Sequence, residues 1–168
     1  MPASNSQPTP NTNSTPDAQA AFDRLKTLDG AWEGTITTEP AIPAMTGDVA
    51  KVTMRTASMG NAILHSMASA RRPDNPISVI YREDNRLLLT HYCDGGNRPR
   101  MEARISADGN TVSFEFLDVS GPTRNGHMSR AVFTFNDASH HVQEWTYVMP
   151  NGAQVRVRSD LRRVAIQP

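Results

Sequence analysis

Leu28-Asp29-Gly30-Ala31-Trp32-Glu33-Gly34 stands where a helical pattern gives way to an unbroken run of strand patterns. Upstream, Ala18, Ala21, Phe22, Leu25 and Leu28 recur at helical spacing. Thr15-Pro16-Asp17 supplies a capping hydroxyl, a proline at the first helical position and an acid in the first turn. Gly30 is the expected stop. Downstream, alternation predicts strands near Ala31–Thr38, Asp48–Ser58, Ala62–Ala70, Ile77–Arg82 and Arg86–Tyr92. It predicts five more near Arg98–Ser106, Thr111–Asp118, His127–Asn136, His140–Met149 and Gln154–Val164.

The punctuation between these segments suits hairpins: Gly60-Asn61, Asp84-Asn85, Asp108-Gly109-Asn110, Asn136-Asp137 and Asn151-Gly152. No second helix of useful length interrupts the series, which argues against parallel crossovers. About ten antiparallel strands in sequence order twist and curl, and closure removes their exposed edges. The expected fold is all-β: an up-and-down antiparallel barrel with one short N-terminal helix plugging an end.

Length and charge bound the rest. The 168 residues suit one domain with a real core. Lys plus Arg balances Asp plus Glu at 17 each, so no basic excess points to nucleic acid. The single cysteine, Cys93, allows no intrachain disulfide. No apolar run reaches the roughly 18 residues of a membrane helix. Residues 1–16, rich in Pro, Ser, Asn and Thr, have neither the basic start nor the apolar middle of a signal peptide. They are expected to form a disordered tail ahead of one barrel domain at residues 17–168, in a cytoplasmic protein.

Period-two alternation assigns faces. Trp32, Gly34 and Ile36 share one side, as do Leu87, Leu89, His91 and Cys93, and as do Val112, Phe114 and Phe116. His127, Ser129, Ala131, Phe133 and Phe135 likewise share a side and are expected inward. In the last strand Val155, Val157, Ser159 and Leu161 oppose Arg156, Arg158, Asp160 and Arg162, and that charged row must face water. The ninth strand is ambiguous, with Glu144, Thr146 and Val148 opposed to Gln143, Trp145 and Tyr147.

His91 has the sharpest functional reading, because it follows three leucines and a lumen imidazole can bond a ligand, move a proton or bind a metal. The alternative is a structural histidine bonded to a neighbouring strand. Cys93 shares its face, but positions i and i+2 stand about 6.5–7 Å apart on a strand, beyond catalytic hydrogen-bond reach, so a small buried apolar role competes. His127 across the lumen, with Glu144 turned inward, would complete a two-histidine, one-carboxylate shell. No tight ligand spacing supports that metal reading, and adjacent His140 and His141 point to opposite faces. Asn97 and Arg98, in the turn after Gly95-Gly96, are further candidate ligand contacts. Arginine suits a ligand carboxylate, although most of the chain's arginines must lie on the surface. No phosphate loop and no Gly-x-Ser-x-Gly elbow is present.

The Gly-x-Trp of the opening stretch resembles the calycin superfamily, the lipocalins and fatty-acid-binding proteins. With THYCDGGNRPRM (Thr90–Met101), GHM (Gly126–Met128) and QEW (Gln143–Trp145), the chain resembles an uncharacterised group of bacterial lipocalin-like proteins. That resemblance runs from Leu28 to Thr146 and brings no activity with it. It implies a barrel with a cavity, hence a small, largely apolar ligand oriented by His91, Cys93, Asn97, Arg98, His127 and Glu144. Nitrobindin-like haem barrels resemble the chain at the same Gly-x-Trp, but they use a histidine close to the C-terminus as iron ligand, and none follows His141 here. No cofactor is therefore expected, with haem as the alternative. A hydrolase or isomerase built on His91, Cys93, His127 and Glu144 is the remaining alternative.

Overall fold

A computed structural model describes residues 18–72 and 75–165. The expected tail and the Thr15-Pro16-Asp17 cap lie outside the described residues. Helix α1 (Ala18–Lys26) buries Ala21, Phe22 and Leu25. Burying Phe22 and Leu25 is worth roughly 1.5–3 kcal/mol each. The helix winds down through three tight i→i+3 bonds, Thr27, Leu28 and Asp29 amides to the Arg24, Leu25 and Lys26 carbonyls at 3.2, 3.0 and 3.0 Å. Gly30 then turns the chain at φ +138°, a conformation glycine tolerates.

Ten strands follow: β1 (Gly30–Glu39), β2 (Val49–Ala57), β3 (Ala62–Ser69), β4 (Ile77–Glu83), β5 (Arg86–Tyr92), β6 (Arg98–Ile105), β7 (Thr111–Ser120), β8 (His127–Asp137), β9 (His140–Val148) and β10 (Gln154–Val164). They form a closed barrel in sequence order, each antiparallel to the next, with β1 closing on β10. The fold is the expected one, and the strand limits fall within about two residues of those read from alternation. No helix among the described residues is long and apolar enough to cross a membrane.

The LDGAWEG stretch seals one end. Trp32 is buried and its Nε1 donates to the Leu28 carbonyl at 2.8 Å. The Arg163 guanidinium lies 4.2 Å from the indole centroid and donates to the Asp29, Thr27 and Ala138 carbonyls at 2.6, 3.0 and 3.0 Å. One side chain on the last strand thus ties the helix exit, β1 and the β8–β9 turn together. At Gly34 a Cβ would lie 1.7 Å from the Asp160 carbonyl oxygen, so only glycine lets β1 close on β10 there.

Besides a register shift in the β6–β7 ladder between Arg100 and Met101, which leaves Leu117 unpaired in the ladder, three local irregularities depart from the alternating pattern. The β8–β9 register pairs Met128 with Tyr147 and then Arg130 with Thr146, leaving Ser129 as an extra residue. The bulge inverts the facing expected before it: Met128 packs on the core, and His127 does not. A second irregularity at Asn136 lets β8 run on to Asp137, so the turn is Ala138-Ser139 instead of Asn136-Asp137. Asp137 holds that turn, accepting from the Ser139 amide at 2.7 Å and its hydroxyl at 2.8 Å. Third, the β7–β8 ladder ends at the Glu115–Arg130 pair. Phe116, expected in the core with Phe114, is 44% exposed and stacks on His127 with ring centroids 4.9 Å apart.

Candidate functional site

The barrel holds a cavity of about 220 Å³ on the side of Trp145 away from α1. Its wall is built from alternate residues of facing strands: Ile36 on β1, Met67 on β3, Met128 on β8, Val155 and Val157 on β10. Trp145 and Tyr147 of β9 supply aromatic surface, and Met45, from the β1–β2 connection, closes another side. The space reaches the surface beside Arg72, Pro76 and Asp94.

His91 and Cys93 both line this cavity, as expected. His91 is 2% exposed, and its Nδ1 shares a hydrogen bond of 3.0 Å with the Ser78 hydroxyl on neighbouring β4. Nε2 has no hydrogen-bond partner among the described residues. Burial, with His65 adding to it, pushes His91 down to about 4, so the ring is neutral at pH 7. Cys93 is half-buried. Its Sγ lies 3.4 Å from Asp94 Oδ1, and burial raises its pKa. A thiol pushed that way resists the thiolate form that nucleophilic chemistry needs.

The other four candidates stand elsewhere. Asn97 is buried, but its Nδ2 donates to the Pro122 and Gly126 carbonyls at 2.9 and 2.8 Å, clamping the β5–β6 turn to the β7–β8 loop. Arg98 is exposed and pairs with Ser120 across β6 and β7. His127 leaves the cavity wall through the Ser129 bulge. Glu144 stands opposite Val132 and Arg158, on the face away from buried Gln143 and Trp145, which resolves the ambiguity of the ninth strand outward. His91, Cys93, His127 and Glu144 therefore form no catalytic or metal-holding cluster. Among the described residues no group of three His, Cys, Asp or Glu side chains is placed to hold a metal ion.

Two of the recognisable blocks have structural reasons. Asn97 of THYCDGGNRPRM is the clamp just described. Gly126 of GHM has φ +93°, and a Cβ there would lie 2.3 Å from the Val148 carbonyl oxygen and 2.8 Å from Tyr147 Cε1. Glycine at 126 thus lets the loop pass against the Tyr147 ring, whose hydroxyl donates to the Asn125 carbonyl at 2.7 Å.

Beneath Trp145 lies a buried polar network that alternation alone did not single out. His65 Nε2 meets Gln143 Oε1 at 3.0 Å, Trp145 Nε1 donates to the same oxygen at 3.2 Å, and Gln143 Nε2 meets His141 Nε2 at 3.1 Å. The indole N–H can only donate, so the atom it faces must be the amide oxygen. The amide nitrogen then donates to His141 Nε2, which puts the His141 proton on Nδ1. His65 must donate through Nε2, which leaves its Nδ1 a bare acceptor. Both Nδ1 atoms are buried without a partner. Burial pushes His65 to about 4 and His141 to about 3, keeping both neutral. The rings pack on the tryptophans: His65 and His91 lie 5.3 and 5.4 Å from Trp145, and His141 lies edge-on to Trp32 at 4.2 Å. Lone inward histidines on strands β3 and β9 were the available signal in the sequence.

No protein-family model and no curated protein matches the chain. A solved structure of a protein of unknown function from the DUF3598 family of Nostoc punctiforme is similar, with a TM-score of 0.57 at 12% identity. The match covers 83% of this chain and 49% of that one, so the chain spans about half that neighbour's length. At that identity the likeness is one of fold: a β-barrel.

Proposed function

We propose that this protein binds a small, largely apolar molecule inside the barrel, and that it is a lipocalin-like barrel of the calycin kind. The observation that carries the reading is the cavity itself: about 220 Å³, walled by aliphatic, methionine and aromatic side chains and by His91, whose Nε2 has no partner among the described residues. Burial of the guest's apolar surface, at about 25 cal/mol per Å², drives binding, and His91 Nε2 fixes orientation. The helix-plugged end, with Trp32 beneath α1, supports the calycin reading.

The alternatives fit less well. The cavity is below the roughly 300–1,000 Å³ of pockets that take drug-sized ligands, so it does not enclose a haem. An enzyme on the His/Cys/Glu set lacks convergence, because Glu144 and His127 do not reach the cavity. The test is a titration of the full chain with 1-octanol, followed by tryptophan fluorescence, since Trp145 lines the cavity. A saturable change that is lost in a Val157→Phe variant, which fills the space, supports the reading. Unchanged binding in a folded Val157→Phe variant, or no saturable signal in the parent, overturns it.

A further inference from the structure

Three of the chain's eight methionines, its single cysteine and a buried histidine line one small cavity. Met45 comes from the β1–β2 connection, Met67 from β3, Met128 from β8, His91 from β5 and Cys93 from the turn that β5 enters. Methionine alone is a common gap-filler of cores. Here three thioethers, a thiol and an imidazole nitrogen without a partner share about 220 Å³. We propose that this wall is a binding site for a soft monovalent metal ion, copper(I), held by Cys93 Sγ, His91 Nε2 and the thioether sulfurs of Met67 and Met128. The site goes beyond the uptake of an apolar guest and stands or falls independently of it.

The imidazole is set up as a ligand. His91 is 2% exposed, and its Nδ1 is engaged by the buried Ser78 hydroxyl at 3.0 Å. A metal-binding histidine takes such an outer partner on its second nitrogen, which fixes the ring and its tautomer. Among the described residues, the buried side-chain atoms sealed off without a partner are His65 Nδ1, Asn97 Oδ1, His141 Nδ1 and Ser159 Oγ. His91 Nε2 also lacks a partner but is not sealed off, and the space this ring lines is the cavity.

Cys93 is held in place by its backbone. Its amide donates to the Asn97 carbonyl at 3.1 Å, and its carbonyl accepts from the Gly96 amide at 3.0 Å. Positions i and i+2 on one strand face stand about 6.5–7 Å apart at the backbone. That spacing is too wide for a direct hydrogen bond between the two side chains. An ion bonded to both tips at about 2.0–2.3 Å, the length of metal–imidazole and metal–thiolate bonds, bridges it.

Donor chemistry and charge select the ion. Thiolate and thioether are soft ligands that favour copper(I), whereas calcium and magnesium require oxygen. Among the described residues the one carboxylate on the lining, Asp94, is ion-paired with Arg72. Zinc takes four thiolate, imidazole or carboxylate ligands in a closed site, and this wall offers one thiol and one imidazole. Binding copper(I) forms a copper–sulfur bond and sends the Cys93 proton to solvent, with no change of oxidation state. The +1 ion and the −1 thiolate then leave a neutral complex. A divalent ion would leave a net charge among apolar side chains, which is costly.

The test is competition for copper(I) against bicinchoninate on the full chain, under ascorbate and without oxygen. Near-ultraviolet absorption follows sulfur-to-copper charge transfer. One equivalent of copper(I) is expected per chain, and zinc(II) is not expected to displace it. Ser78→Ala removes an outer partner and should weaken copper(I) by about 10–100-fold, and Cys93→Ser, which removes a ligand and the charge-transfer band, by more than about 100-fold. Leucine for methionine conserves volume, so a Met67→Leu, Met128→Leu double variant keeps the fold, as its urea midpoint will show, and isolates the sulfur. It should lose at least as much as Ser78→Ala. Copper(I) held as tightly by Cys93→Ser or by the double variant, displacement by zinc(II), or no retention against bicinchoninate overturns the assignment.

Discussion

At the scale of single residues, His91 and Gln143 do opposite things with similar chemistry. His91 makes one side-chain bond among the described residues, from Nδ1 to Ser78, and lines the cavity. His91→Ala is therefore expected to cost only about 1–2 kcal/mol in stability, chiefly the orphaned Ser78 hydroxyl. An oriented polar guest loses a bond made in a dry wall, about 1–3 kcal/mol, or roughly five- to 150-fold in affinity. Denaturant unfolding without ligand and titration with 1-octanol measure the two separately. A large stability loss with unchanged affinity would make His91 a purely structural residue. Gln143 instead satisfies three side chains at once, so Gln143→Leu strands two donors and an acceptor and should cost more than about 3 kcal/mol. The same network fixes proton positions. Long-range ¹H–¹⁵N correlation of the imidazoles at pH 7 should find His65 protonated at Nε2 and His141 at Nδ1. The reverse for either ring would show that the amide is turned the other way.

At the scale of elements, stability concentrates where the helix hands over to the barrel. Trp32 is fully buried, bonds back to Leu28 and carries Arg163 on its face, so Trp32→Ala removes the layer between α1 and the lumen. A loss of roughly 3–5 kcal/mol is expected, read as a lowered denaturant midpoint. An unchanged midpoint would remove Trp32 from the core. This junction was legible because helical spacing ends and period-two alternation begins within a few residues of Gly30. Four of the five hairpin turns read from local chemistry stand between their expected strands. The exception was the β8–β9 turn, displaced from Asn136-Asp137 to Ala138-Ser139. The bulges at Ser129 and Asn136 were not legible, because a bulge is a property of two strands and only one is seen at a time. The slip at Ser129 is what removed His127 from the predicted lumen. The clamp made by Asn97 was not legible for a related reason: its partners, the Pro122 and Gly126 carbonyls, lie on a loop with no periodicity to place it.

At the scale of the whole molecule, the cavity combines what alternation revealed with what it could not. His91 and Cys93 follow from their strand, whereas Arg72, Asp94 and Met45 come from connections whose positions only the closed barrel sets. The barrel also gathers three buried neutral histidines, His65, His91 and His141, around one tryptophan layer, and this has a consequence for stability against pH. In the folded state their pKa values are about 4, 4 and 3, whereas an unfolded histidine titrates near 6.5. The unfolded chain thus binds more protons between pH 6.5 and 4. Stability present above pH 6.5 is lost as pH falls through that window, the direction expected when a folded-state histidine pKa is depressed. Three such groups give a slope approaching 4 kcal/mol per pH unit, against a total of about 5–15 kcal/mol for a typical domain. Carboxylates such as Asp48 and Asp118, whose pKa values are lowered by the Ser69 hydroxyl and the Arg100 guanidinium, lose their contribution only below the unfolded carboxylate range, near pH 4. The two effects therefore separate on the pH axis. Urea midpoints measured at pH 7.5, 6.5, 5.5 and 5.0 should be level across the first two and fall steeply across the rest. In His91→Ala the fall should be about one third shallower. A flat profile down to pH 5 would mean that the histidines are protonated in the folded barrel, and that water reaches the layer beneath Trp145.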